Sequence, residues 1–221
     1  MKDFNGIVSL LVACIELGLF VNLLIFAEKN HVNKLVISLI GLLFLYQVFE
    51  FIICFVEAQS AAIVYISLVT ISILPPLSLL IILRFYKYNS KIFLIIFMPA
   101  LYFLIYYLFA IENIAVMKCT VLYIIYNYPL GTLYGAFYYI PVLVSIIILI
   151  IKLKQEKSPQ KKTLSIIILS GYVITSIPGL LINLFVPGAI AAVESILCKL
   201  ALIFAVTFAL FALKNKTESE T

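Results

Sequence analysis

Four polar side chains interrupt otherwise apolar helical stretches of this sequence: Glu16, Gln47, Glu50 and Lys199. Their neighbours are mainly Leu, Ile, Val and Phe, and an ionisable group in such a stretch costs at least about 2.5 to 3.5 kcal/mol at the centre of a bilayer. A carboxylate beside an ammonium would neutralise both charges. The same groups can also bind a small polar ligand, and the sequence leaves both readings open.

The spacing of these residues indicates which of them can meet. Gln47 and Glu50 share one face of a predicted second helix. Glu194 precedes Lys199 by five residues and lies about 140° around the helix axis from it, which makes it a poor partner. At about 1.5 Å per residue, Glu50, Lys199 and Glu16 lie at similar depths from one end of the helices. We predict that Lys199 pairs with Glu50, Glu16 or both where helices one, two and seven meet.

The composition of the chain identifies the environment of these helices. The chain has 221 residues, of which 65% are hydrophobic and 11% charged, and its mean hydropathy is +1.23, whereas soluble domains are about 45 to 50% apolar. We predict an all-α membrane protein with a single seven-transmembrane helix bundle at residues 1–213 and a short tail at 214–221. Each apolar stretch is close to the roughly 20 residues that span a bilayer, and the predicted spans are 5–27, 35–56, 61–83, 92–111, 134–151, 163–186 and 191–213.

The distribution of basic residues predicts the orientation of the bundle. Seven spans place twelve lysines and arginines on one side of the membrane and only Lys2 and Lys118 on the other. This bias predicts an external N-terminus, a cytoplasmic C-terminus and a multi-pass protein of the cell's inner (cytoplasmic) membrane. The net charge of +5 is thus a topology signal, and we expect the lipid bilayer, not nucleic acid, as the partner of this surface.

The external segment 112–133 is too long for a turn and too rich in Thr, Val, Ile and Tyr for a solvated linker. Residues 121–128 are typical of a strand, and with 114–119 they can form a β-hairpin over the outer mouth of the bundle, between helices four and five.

The four cysteines lack the close spacing of a zinc site, and we expect neither a metal nor a cofactor. All four fall in the outer half of the predicted bundle. In an oxidising compartment Cys119 could form a disulfide with Cys54 or with Cys198, and free thiols, Cys14 among them, are the alternative.

Prolines interrupt several of the predicted helices. Candidate hinges are Pro75, Pro76, Pro141, Pro178 and Gly179. Such breaks are tolerated in membranes because neighbouring groups bind the freed carbonyls, and static kinks are the alternative to hinges.

The stretch "FLYQVFEFIICFVEAQSAAIVYISLVTISILPPLSLLIILRFYK" and the later "GYVITSIPGLLINLF" resemble the seven-helix N-terminal sensor region of bacterial histidine kinases. Glu50 matches a glutamate in helix two of that pattern, and Pro75 and Pro76 match its Pro-Pro pair in helix three. Members of this kind continue into a cytoplasmic output domain, whereas this sequence ends eight residues after Leu213. The resemblance therefore implies either a free-standing sensor that acts through a signalling partner or a different function on the same scaffold.

We accordingly expect a receptor-like sensor, not an enzyme, that binds a small ligand in the outer half of the bundle. The alternative is a transporter of a small solute or ion, or a subunit of a membrane complex. A retinal protein is disfavoured because the chain has no tryptophan and no aspartate four residues before Lys199. A membrane hydrolase is disfavoured because the predicted spans contain no histidine or aspartate.

Overall fold

The computed structural model describes residues 6–88, 92–121, 124–185 and 190–216, with the backbone alone for 92–94, 178–185 and 190–198. These residues form seven α-helices and a two-stranded antiparallel sheet. The helices are α1 (Ile7–Phe26), α2 (His31–Cys54), α3 (Ala61–Phe85), α4 (Ile92–Phe109), α5 (Gly131–Gln155), α6 (Pro159–Phe185) and α7 (Ile190–Lys214). The strands β1 (Ala115–Cys119) and β2 (Ile124–Asn127) lie between α4 and α5, where the sequence predicts a hairpin.

The surface of this bundle is apolar and much of its polar content is inside. Within the described residues, α1, α2, α3 and α5 are long and apolar enough to cross a membrane. Large side chains such as Ile95 and Phe109 are 72% and 85% exposed, whereas Glu16 and Gln47 are fully buried. This reversal of the usual pattern of soluble proteins indicates a membrane protein.

Helices α1, α2 and α7 pack against one another, α6 packs along α7, and α3 lies between α2 and the pair α4 and α5. The two ends of the bundle differ in chemistry. We call the end that carries the sheet the hairpin end. The opposite end, where α1, α3, α5 and α7 finish, is the basic end, and its described basic residues are Lys29, Lys34, Arg84, Lys87, Lys152, Lys154, Lys157, Lys161, Lys162, Lys214 and Lys216.

At the hairpin end, the sheet is bonded covalently to the bundle. A disulfide joins Cys54, the last residue of α2, to Cys119 in β1. The alternative pairing of Cys119 with Cys198 is therefore wrong, and Cys14 is an exposed free thiol. Gly6 begins α1 beneath the sheet with a left-handed φ of 77°, and its N–H donates to the Thr120 carbonyl at 3.0 Å. The disulfide and this hydrogen bond together hold the sheet over the start of α1 and the end of α2.

At the basic end, three asparagines connect α2 to the end of α7. Asn33 is fully buried, and its side-chain amide donates to the backbone carbonyls of Ala212 and Asn215 at 3.1 and 3.2 Å. Asn215 donates in return to Asn33 Oδ1 at 2.9 Å, and Asn30 donates to the Asn215 carbonyl at 3.1 Å. Asn30 also caps α2 by accepting from the Asn33 N–H at 2.8 Å. We call this group the asparagine clasp.

The prolines lie inside continuous helices. Pro75 and Pro76 are within α3 and Pro141 is within α5. Nearby serines donate to the backbone of the same helices, Ser78 to the Pro75 carbonyl at 2.8 Å and Ser145 to the Pro141 carbonyl at 2.7 Å. A hinge role for these prolines remains a prediction. Pro178 and Gly179 fall in α6, and their side-chain environment lies outside the described residues.

The close crossing of α6 and α7 depends on Gly171, which gives the first testable prediction. A Cβ at this position would lie 3.0 Å from Thr207 Cβ and closer still to Thr207 Oγ1. Gly171→Ala should therefore lower the free energy of unfolding by about 1 to 3 kcal/mol through overpacking. Gly18→Ala is the matched control, because a Cβ at Gly18 meets nothing within 4 Å. Equal stability of the two variants in detergent would contradict the close crossing.

Candidate functional site

The polar residues predicted from the sequence converge near the hairpin end, between α1, α2 and α7. Lys199 of α7 donates from Nζ to Gln47 Oε1 and to Ser9 Oγ, each at 2.7 Å. It also forms a close ion pair with Glu50 Oε2. Ser9 in turn donates to the same Glu50 oxygen at 3.2 Å. We call these four residues the lysine cluster.

Burial makes the lysine cluster electrostatically strong. Ser9, Gln47 and Glu50 are at most 2% exposed, and the Lys199 side chain is 14% exposed. Burying an isolated charge in such surroundings costs free energy. The ammonium of Lys199 and the carboxylate of Glu50 offset this cost for each other, and removing either one leaves the other buried without its partner. Because the four side chains come from α1, α2 and α7, the lysine cluster also fixes how these helices pack.

The hydrogen-bonding capacity of Lys199 is fully used inside the cluster. An ammonium carries three N–H donors, and three acceptors of the protein, on Ser9, Gln47 and Glu50, receive them. An anionic ligand could bind Lys199 only by displacing one of these acceptors. The geometry is therefore that of an anchor between helices.

Glu16 is different, because no residue that the structure describes forms a hydrogen bond with its carboxyl group. The side chain is fully buried, and neither of its oxygens forms a hydrogen bond within the described residues. Glu16 follows Ser9 by seven residues on α1 and so lies on the same face, about 10 Å further into the bundle. Lys199 and Glu50 are near enough to interact with it electrostatically. A buried carboxyl group without a hydrogen bond is stabilised by a bound proton, a cation or a hydrogen-bond donor.

Glu194 has no described place in this site. Its backbone belongs to α7, but its side chain lies outside the described residues. Of the predicted residues, the structure thus brings Lys199 into direct contact with Gln47 and Glu50. It leaves Glu16 near them with no hydrogen bond to any described residue.

A small cavity lies next to the lysine cluster, toward the basic end. Its volume is about 70 Å³, and its lining includes Leu43, four residues before Gln47, and Ala201, two residues after Lys199. This volume is enough for a few water molecules or a very small ligand. Tyr172 and Thr175 of α6 also line it with buried hydroxyls. The Thr175 hydroxyl forms no hydrogen bond within the described residues, and the Tyr172 hydroxyl lies near those of Ser78 and Ser145.

Two of these features are not among those predicted from the sequence. The asparagine clasp could have been suspected from Asn33, a polar residue on the face of α2 that otherwise presents Val36 and Ile40 to the core. Tyr172 and Thr175 are three residues apart in an apolar helix, which is the spacing of a shared face. No sequence signal shows that these hydroxyls line a cavity.

Comparison with known proteins adds no relative: no protein-family model matches the chain, and neither a curated protein nor a solved structure is significantly similar to it.

Charge pairing in the lysine cluster gives the second prediction. Lys199→Met and Glu50→Gln should each lower the free energy of unfolding by about 3 to 5 kcal/mol, because each leaves a buried charge without its partner. The free energy of unfolding should fall less in the double variant than the sum of the two single losses. Unfolding in mixed detergent micelles measures this difference. The control pair is Lys199→Met with Glu57→Gln, since Glu57 is exposed. Strict additivity for Lys199 and Glu50 would contradict the pairing.

Proposed function

We propose that this protein is a receptor-like membrane sensor with seven spans, whose hairpin end faces the outside and whose basic end faces the cytoplasm. The concentration of basic residues at one end supports this orientation. The Cys54–Cys119 disulfide at the other end supports it independently, because disulfides persist in oxidising compartments and are rare in the cytosol.

This topology gives the third prediction. In a chain whose Cys14 and Cys198 are replaced by serine, we introduce one cysteine at Lys157, in the exposed loop before α6, or at Glu112, exposed between α4 and β1. A membrane-impermeant maleimide added to intact cells should label the cysteine at 112 and not that at 157. Labelling at 157 before lysis would overturn the orientation.

The observation that carries the proposed ligand site is the buried carboxyl group of Glu16. Since Lys199 is saturated by protein acceptors, Glu16 is the ionisable group of this region whose oxygens receive no hydrogen bond from the described residues. A carboxylate accepts hydrogen bonds and attracts positive charge. The ligand class that fits is therefore a small cation or amine with N–H donors.

A signal can pass from this site along α2 and α7. A ligand at Glu16 changes the charge beside the pair of Lys199 and Glu50, which joins these two helices. Both helices continue without a break to the asparagine clasp at the basic end. A shift of α7 against α2 would therefore alter the cytoplasmic surface available to a signalling partner. The resemblance to histidine-kinase sensor regions supports the same reading.

The alternative function is transport of a small cation or of protons. The full burial of Glu16 favours it specifically, since intramembrane carboxyl groups also occur on ion and proton pathways. Uptake of radiolabelled methylammonium into proteoliposomes separates the two functions, because a sensor binds the probe without accumulating it inside.

The ligand class gives the fourth prediction. Methylammonium chloride should raise the melting temperature of the purified protein, followed by circular dichroism, whereas tetramethylammonium chloride, which lacks N–H donors, should not. Glu16→Gln removes the carboxyl group, keeps the size of the side chain and should abolish the response. Glu57→Gln is the matched control and should respond normally. A response that persists in Glu16→Gln would refute the assignment of the site.

A further inference from the structure

A second and larger cavity lies at the basic end, remote from Glu16 and the lysine cluster. Its volume is about 430 Å³, and it is formed where α2 and α6 begin and where α3 and α7 end. Arg84 and Lys87 from the end of α3, Lys161 from α6 and Lys216 after α7 line it. His31, the first residue of α2, faces the same space.

These cationic side chains have no partner in the described part of the chain. Arg84, Lys87, Lys161 and Lys216 form no ion pair and no side-chain hydrogen bond there. Arg84 and Lys161 are also half-buried, so that solvent screens them less than it screens freely exposed charges. Four like charges around one cavity repel one another unless an anion lies between them.

The helices add to the positive potential of this cavity. α2 and α6 both begin at its wall, with His31, Gln160 and Lys161 in their first turns. The N-terminal end of a helix carries a partial positive charge and attracts anions. Two helix starts and four cationic side chains therefore act on the same volume.

We propose that this cavity binds a phosphate group. A phosphate can accept several charge-assisted hydrogen bonds at once, and the planar guanidinium of Arg84 is suited to bidentate contact with its oxygens. Val32, Phe85 and Leu164 supply an apolar wall, which suits a phosphate attached to an apolar group. The phosphate can come from an anionic phospholipid headgroup at the membrane surface or from a free phosphate in solution.

The test uses the full chain in detergent at constant ionic strength. Three probes are added in turn: short-chain phosphatidylglycerol, short-chain phosphatidylcholine as the zwitterionic control, and inorganic phosphate. The double variant Arg84→Gln with Lys161→Gln removes two charges from the cavity. Its matched control, Lys154→Gln with Lys162→Gln, removes two charges from exposed residues of the same end that do not line the cavity.

We expect phosphatidylglycerol, inorganic phosphate or both to raise the melting temperature of the wild type and of the control variant by about 3 °C or more at saturating concentration. The cavity variant should lose this shift, and without probe it should melt no lower than the wild type because repulsion is relieved. A shift with phosphatidylglycerol alone assigns the phosphate to a lipid headgroup, and an equal shift with inorganic phosphate assigns it to a soluble ligand. The proposal is overturned if neither phosphatidylglycerol nor inorganic phosphate stabilises the wild type. It is also overturned if phosphatidylcholine stabilises the wild type as much as phosphatidylglycerol does, or if the cavity variant and the control variant lose the shift to the same extent.

Discussion

A buried ammonium group must be neutralised and hydrogen-bonded, and this requirement organises one half of the bundle. Lys199 meets it with Glu50, Gln47 and Ser9, so that α7 is fixed to α2 and α1 by groups that would be costly to separate. The apolar contacts around the cluster are non-directional and tolerate small rotations of one helix against another. The lysine cluster does not tolerate them, because each of its acceptors occupies a defined position on its own helix.

The asparagine clasp performs the corresponding role at the opposite end. Asn33 and Asn215 exchange side-chain and backbone hydrogen bonds, and Asn33 is fully buried. Buried amide groups without partners would destabilise the bundle, so this contact also selects one register of α7 against α2. The two helices are thus fixed at both ends, while Gly171 lets α6 approach α7 closely between them. Two continuous helices therefore connect one fixed point to the other.

The sequence predicted the helical architecture and the hairpin well, because long apolar stretches and a β-rich loop are local signals. Depth along the helices narrowed the partner of Lys199 to Glu50 or Glu16, since the rise per residue is constant. It could not choose between them, because the choice depends on how each helix is rotated about its own axis. The clasp was missed for a related reason: one asparagine near a helix start resembles an ordinary cap, and its distant contacts follow from the packing of α7 on α2.

A charged side chain in a membrane helix does not by itself indicate a function. A better guide is whether the protein already satisfies the hydrogen-bond donors and acceptors of that side chain. Lys199 first attracts attention in the sequence, yet its three donors are all bound by the protein, so its place is explained by packing. Glu16 is less conspicuous in the sequence, and its two buried oxygens receive no hydrogen bond from the part of the chain that the structure describes. The same criterion applies at the basic end, where Arg84 and Lys161 are half-buried and form no ion pair with any residue that the structure describes. A ligand gains the most binding free energy at groups whose hydrogen-bonding or ion-pairing capacity is unused, because it displaces no bond that the folded chain already has.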